Sequence, residues 1–145
     1  MLDSADLERF AAAQEQTYAE ALSEVRAGHK RGHWIWFIFP QLRGLGYSRM
    51  SDYYGIADLD EARRYLAHPL LGPRLQEISA ALLKLDARDP YDVMGYVDGL
   101  KLRSCMTLFA RAGAPGSVYE QVLREFYGGQ EDQTTLDMLK RSESG

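Results

Sequence analysis

The chain has 145 residues, 46% apolar and 26% charged, which is the length and composition of one globular domain able to bury a core without staples. A net charge of −4 argues against a dedicated nucleic-acid binder, which carries a net basic domain. One cysteine, Cys105, leaves no intrachain disulfide and fits a reducing cytosol. The polar, acidic start lacks the apolar stretch of a signal peptide, and the longest apolar run, Trp34 to Pro40, falls far short of the roughly 18 residues of a membrane span.

Residues 1–145 read as a single domain with frayed ends at 1–3 and 141–145. In chain order, Asp3 or Ser4 is placed to cap a first helix, with Asp6 and Glu8 in its first turn. Leu7, Phe10, Gln14, Tyr18, Leu22 and Val25 recur at helical spacing on one face, and Gly28 is the natural stop near Ala27. Gln14 interrupts that stripe, as a core glutamine bonded to backbone or as one that reaches a pocket. The run from His33 to Phe39 has no alternation. With helical patterns around it and no strand to pair with, it reads as a short buried helix stopped by Pro40. Residues 41–55, rich in Gly, read as loop, with Ser48 and Ser51 as turn or cap residues.

Asp58 opens the next helix, with Leu59, Ala62 and Leu66 inward and Glu61, Arg63 and Arg64 outward; His68-Pro69 ends it. Leu71, Leu75, Ile78, Leu82 and Leu85 mark a long amphipathic helix. Asp89-Pro90 starts a turn or short helix through Met94. Asp98 is the expected cap of a helix with Leu102, Cys105, Met106, Phe109 and Ala112 inward. Gly113 to Gly116 is a break. Ser117 caps Val118 to Tyr127 with Glu120 completing a capping box, Gly128-Gly129 closes that helix, and Asp132 opens the last one. The expected fold is all-α, a compact single-domain bundle of about seven helices with short links.

Chemistry concentrates in Gly28 to Gly55. This stretch holds seven of the 16 aromatic residues and four Lys/Arg against one carboxylate, Asp52. Trp36, Phe37 and Phe39 read as core, whereas Trp34, Tyr47, Tyr53 and Tyr54 read as a ligand wall. His29 and His33 are four apart, but flanking glycines and the absence of an H-E-x-x-H glutamate argue against a metal site, and no cofactor motif is present. Cys105 reads as a small buried hydrophobe, and no nucleophile elbow surrounds Ser48 or Ser51. Asp98 and Lys101 are three apart and can meet on one helix face, with Ser104 a turn beyond. Arg74 stands near a helix N-terminus, the wrong sign for that dipole, so it is a candidate to hold a carboxylate or phosphate and equally a surface arginine.

The segments LERFAAAQEQTYAEAL, GHKRGHWIWFIFPQLRGLGYSRMSDYYGI, YLAHPLLGPRL, DGLKLRSCMTLF and GGQEDQTTLDML together resemble the bacterial family called domain of unknown function 1810, from about Leu7 to Leu139. Members also carry the label calpastatin, an inhibitor type that is largely disordered, unlike this composition. The resemblance implies one all-helical domain. Its motif positions fall on Gln14, His33, Trp34, Pro40, Gln41, Ser48, Ser51, Tyr54, His68, Arg74, Asp98, Lys101, Ser104, Met106 and Thr107, with Cys105 standing where the motif reads serine. More distantly, the Ser48 to Tyr54 loop followed by a Lys-bearing helix is similar to the NADAR proteins, which act on ADP-ribose-linked compounds.

These readings converge on a cytosolic domain that binds a small polar, anionic or nucleotide-like ligand between the Trp34–Tyr54 stretch and the Asp98–Ser104 helix start. Gln14, His33, Trp34, Gln41, Ser48, Ser51, Tyr54, Arg74, Lys101 and Ser104 are the expected ligand contacts. Asp98 or His68 would be the acid/base group for hydrolysis of an ADP-ribosyl N-glycosidic bond. The alternative is a non-catalytic interaction module with the aromatic loop as its partner surface. Neither nucleic acid nor membrane is an expected partner, and the oligomeric state is left open.

Overall fold

Nine α-helices make up the regular structure among the described residues of the computed structural model, which covers 2–144 with side chains placed over 7–142. They are α1 (Leu2–Arg26), α2 (Ile35–Ile38), α3 (Arg49–Tyr53), α4 (Leu59–Ala67), α5 (Leu71–Leu83), α6 (Pro90–Met94), α7 (Tyr96–Ala112), α8 (Val118–Tyr127) and α9 (Gln133–Ser144). The all-α expectation holds, with nine helices rather than about seven. The side chains of Asp3, Ser4 and Asp6, and residues 1 and 145 of the expected frayed ends, lie outside the described residues, whereas α1 already begins at Leu2 and α9 runs to Ser144.

The two smallest additions have local causes. α6 is a single turn that Asp89 caps by accepting from the Tyr91 N–H (2.9 Å), with Pro90 at its first position, where a missing N–H costs nothing. α3 lies inside the stretch read as loop. Ser48 and Ser51 build a reciprocal capping box: the Ser48 hydroxyl accepts from the Ser51 N–H (3.1 Å), and the Ser51 hydroxyl accepts from the Ser48 N–H (3.1 Å). At its other end two arginines meet the carbonyls a helix leaves open. Arg43 donates to the Asp52 and Gly55 carbonyls, and Arg9, from α1, donates to those of Tyr53 and Gly55.

α7 is the central element, packed against α2, α4, α6, α8 and α9, while α5 bridges α1, α4 and α8. Leu102, Cys105, Met106, Leu108 and Phe109 of α7 are buried with Phe10, Trp34, Tyr65, Leu75, Ile78 and Leu82 in one core. At the α4–α5 corner the chains approach so closely that a β-carbon at Gly72 would collide with the Leu66 carbonyl.

Three polar residues sit differently from expectation. Glu61, read as outward, is buried, because its carboxylate accepts from the Ala57 N–H (2.8 Å) and pairs with Arg9 (3.3 Å). Glu120 reaches the Gly116 N–H rather than the Ser117 N–H, so that capping box is open on one side. Asp98 is not the cap of α7. Gly95, at φ 88°, holds that position, and Asp98 lies in the first turn.

Candidate functional site

The loop between α1 and α2 is built around one carboxylate. Glu24, in the last turns of α1, accepts at one oxygen from the Arg31 N–H (2.7 Å), the Gly32 N–H (2.9 Å) and the Trp34 indole N–H (2.9 Å). Successive backbone N–H groups of this kind form a concave anion cradle, here filled by the chain's own side chain. Burial pushes the Glu24 carboxyl up, but the donors from Gly32, Arg31 and Trp34 and the Lys30 charge outweigh it and leave it below the ordinary value.

The same loop presents Lys30 to α7. Its ammonium lies 2.7 Å from Asp98 Oδ2 and 4.9 Å from the Trp34 ring centroid, and it donates to the Gly32 carbonyl. Helical side chains lean toward the N-terminus, so Lys101 reaches back to the other Asp98 oxygen at 3.5 Å. Its ammonium stands 5.5 Å from the centroid of Trp36. The aromatic stretch and the start of α7 therefore do meet, through Lys30–Asp98–Lys101 with an indole beside each lysine. Lys30 is nearly enclosed, its side chain 7% exposed, whereas Lys101 is 24% exposed and accessible.

The two tryptophans exchange their expected places. Trp34 is 1% exposed, a core ring tied to Glu24, while Trp36 is half-buried at the edge of the cluster. Lys30 and Trp36 are not among the expected ligand contacts, although Lys30 belongs to the basic cluster Arg26, Lys30 and Arg31 that precedes the tryptophans.

The other candidate residues form separate groups. Gln14 is buried and donates to the Phe37 carbonyl (2.8 Å) and the Tyr65 hydroxyl (3.0 Å), and Arg74 donates to its carbonyl oxygen at 3.5 Å. The Arg74 guanidinium lies 5.0 Å from the Tyr18 ring centroid, and the Tyr18 hydroxyl donates to the Glu77 carboxylate. Burial pushes the Tyr65 and Tyr18 hydroxyls well up, aided for Tyr18 by the bond to Glu77. Ser48 and Ser51 are occupied in the α3 cap. Tyr54 is half-buried against the core, its ring centroid 5.9 Å from that of Phe10 and 5.2 Å from that of Phe37. His68 Nδ1 accepts from the N–H groups of Leu70 (3.1 Å) and Leu71 (3.2 Å), making it the N-terminal anchor of α5. Ser104 donates to the Leu100 carbonyl (3.3 Å), Gln41 is buried, and His33 stands exposed.

Concavities lie at other faces of the molecule. One of about 570 Å³ opens at the Glu24 cradle itself, lined by Glu24, Arg31 and Gly32 with His29 beside them. One of about 720 Å³ lies between α5 and Tyr119, and one of about 480 Å³ beside Arg111 and Arg124. The Lys101–Trp36 cluster is thus a surface ledge and belongs to none of these three. No described helix is long and apolar enough to cross a membrane.

The chain is similar to a solved structure, the conserved hypothetical protein Rv1873 from Mycobacterium tuberculosis, at 48% identity and a TM-score of 0.91, covering 93% of this chain and 96% of that one. None of the curated proteins matches the chain. A family model described as "Protein of unknown function (DUF1810)" matches residues 4–139, nearly the whole helical domain with both the Glu24 cradle and the lysine ledge, and the chain belongs to that family.

Proposed function

We propose that this domain binds a small anionic, nucleotide-like molecule on the ledge formed by Lys101, Trp36 and Asp98. The observation that carries the proposal is the charge count of the cluster: two ammonium groups share one carboxylate. Lys30, close and enclosed, keeps Asp98 in place, whereas Lys101, more distant and more exposed, can exchange Asp98 for a phosphate or carboxylate oxygen. The half-buried Trp36 ring supplies an aromatic surface beside that anion. The reaction assigned to such a ligand is hydrolysis of an ADP-ribosyl N-glycosidic bond. Water adds to the anomeric carbon as the carbon–nitrogen bond breaks, and its proton passes through Asp98 to the departing nitrogen. A cytosolic setting, with Cys105 a free buried thiol, completes the reading.

Thermal unfolding with ADP-ribose, AMP and inorganic phosphate tests it. A ligand at 100 times its dissociation constant adds about 2.7 kcal/mol of stability. That gain is expected with at least one of the three, lost in Lys101→Ala and kept in Ser48→Ala. Absence of a shift with all three would remove the ligand reading.

A further inference from the structure

We infer that the outer face of α3 is a self-association surface, occupied by a second copy of this chain across a two-fold axis. This goes beyond the ligand reading and does not depend on it. Tyr47 is fully exposed, Tyr53 is 58% exposed and Met50 is 37% exposed, so among the described residues half of the six exposed large hydrophobic side chains fall within seven positions. Helical geometry turns about 100° per residue. Ser51 points inward and is buried, which sends Arg49, Met50, Asp52 and Tyr53 to the outer side. Exposed aromatic and methionine side chains grouped in this way are typical anchors of a protein interface.

The patch is also held rigid. Its base is clasped by two backbone hydrogen bonds, Arg43 N–H to the Ile56 carbonyl (2.8 Å) and Ile56 N–H to the Gln41 carbonyl (2.9 Å). The capping box fixes its start, and Arg9 and Arg43 fix its end. A surface ordered beforehand loses little conformational entropy on docking.

Charge selects the occupant. Arg49 and Asp52 are both exposed and one turn apart, and neither side chain takes part in the ion pairs found among the described residues. An apolar centre flanked by one unpaired cation and one unpaired anion is complementary to itself. A two-fold axis sets Arg49 against the partner's Asp52, Asp52 against the partner's Arg49, and the Tyr53 and Met50 side chains against their own copies.

Sedimentation equilibrium of the full chain between about 1 and 300 µM tests the inference over the range of a moderate interface. A mass approaching twice that of the chain is expected. Tyr53→Ser should raise the dimer dissociation constant at least about tenfold. Arg49→Asp and Asp52→Arg should each be monomeric, yet an equal mixture of the two should form a heterodimer, because every reversed charge then meets its opposite. Helical circular dichroism like that of the wild type and cooperative thermal unfolding will show that all three variants fold. A wild-type chain that stays monomeric throughout, a dimer indifferent to these substitutions, or a mixture that fails to associate would each overturn the inference.

Discussion

Lys30 Nζ lies 2.7 Å from Asp98 Oδ2, and this contact ties the loop after α1 to the first turn of α7. It is the most enclosed ion pair involving the candidate site, and it makes Asp98 structural as well as chemical. Breaking such a pair from one side leaves a nearly buried charge without its partner. Asp98→Ala is therefore expected to destabilise the fold by about 3 kcal/mol, whereas Lys101→Ala, whose pair is longer and more exposed, should cost less than about 1 kcal/mol. Urea unfolding of the two variants checks the contrast. Equal losses would show that the two lysines are not distinct in the way the distances indicate.

The Glu24 cradle predicts a specific acid sensitivity. Its folded carboxyl titrates below the ordinary value of 4.5, so the unfolded chain holds the extra proton as pH falls. The stabilisation is complete above that value and disappears as pH drops through the lower folded value. Glu24→Gln should flatten the acid limb of the stability curve below about pH 5 and weaken the fold at neutral pH by about 1–2 kcal/mol, since charge-assisted hydrogen bonds are lost. The Trp34 indole bonds directly to Glu24, so the fluorescence of that ring should report the change.

Gln14 gives a stability test without charge. Gln14→Leu keeps the volume of the core but leaves the Phe37 carbonyl and the Tyr65 hydroxyl without their donor, at about 1–3 kcal/mol per buried group. Unfolding in urea should show a loss of about 3 kcal/mol. Ligand-induced stabilisation should persist in this variant, because Gln14 lies in a different group from Lys101.

The α3 cap and the α5 anchor separate folding roles from binding roles. Ser48→Ala should cost about 1 kcal/mol, the usual value of an N-cap. His68→Ala should cost a similar amount, because two N–H groups at the start of α5 lose their acceptor. Neither substitution should alter the response to ADP-ribose or phosphate. A loss of that response in Ser48→Ala would place the ligand at α3 instead of at Lys101.

Helices and their ends were readable in the chain because their signals are local. Asp58, Asp89, Ser117 and Asp132 each cap as expected, their side chains accepting from N–H groups two or three residues ahead. The inner face of α7 and most of the α1 stripe follow the 3.6-residue period. Even the short helix before Pro40 was legible, from the lack of any strand to pair with.

Pairing between distant segments was not legible in this way. Trp34 and Trp36 are two residues apart, so they point in nearly opposite directions around a helical turn, but nothing local says which direction leads to the core. Docking against α7 and the Glu24 carboxylate settles it in favour of Trp34. Glu61 looks like a solvent residue until Arg9, from α1, is brought beside it. Capping and helical period arise within four residues along the chain, so the linear order of side chains was enough to establish an all-helical domain and most of its boundaries. Which carboxylate pairs with which lysine, which indole is buried and which face of α3 stays open depend on packing between segments far apart in the chain. Those choices were made only when the helices came together around α7.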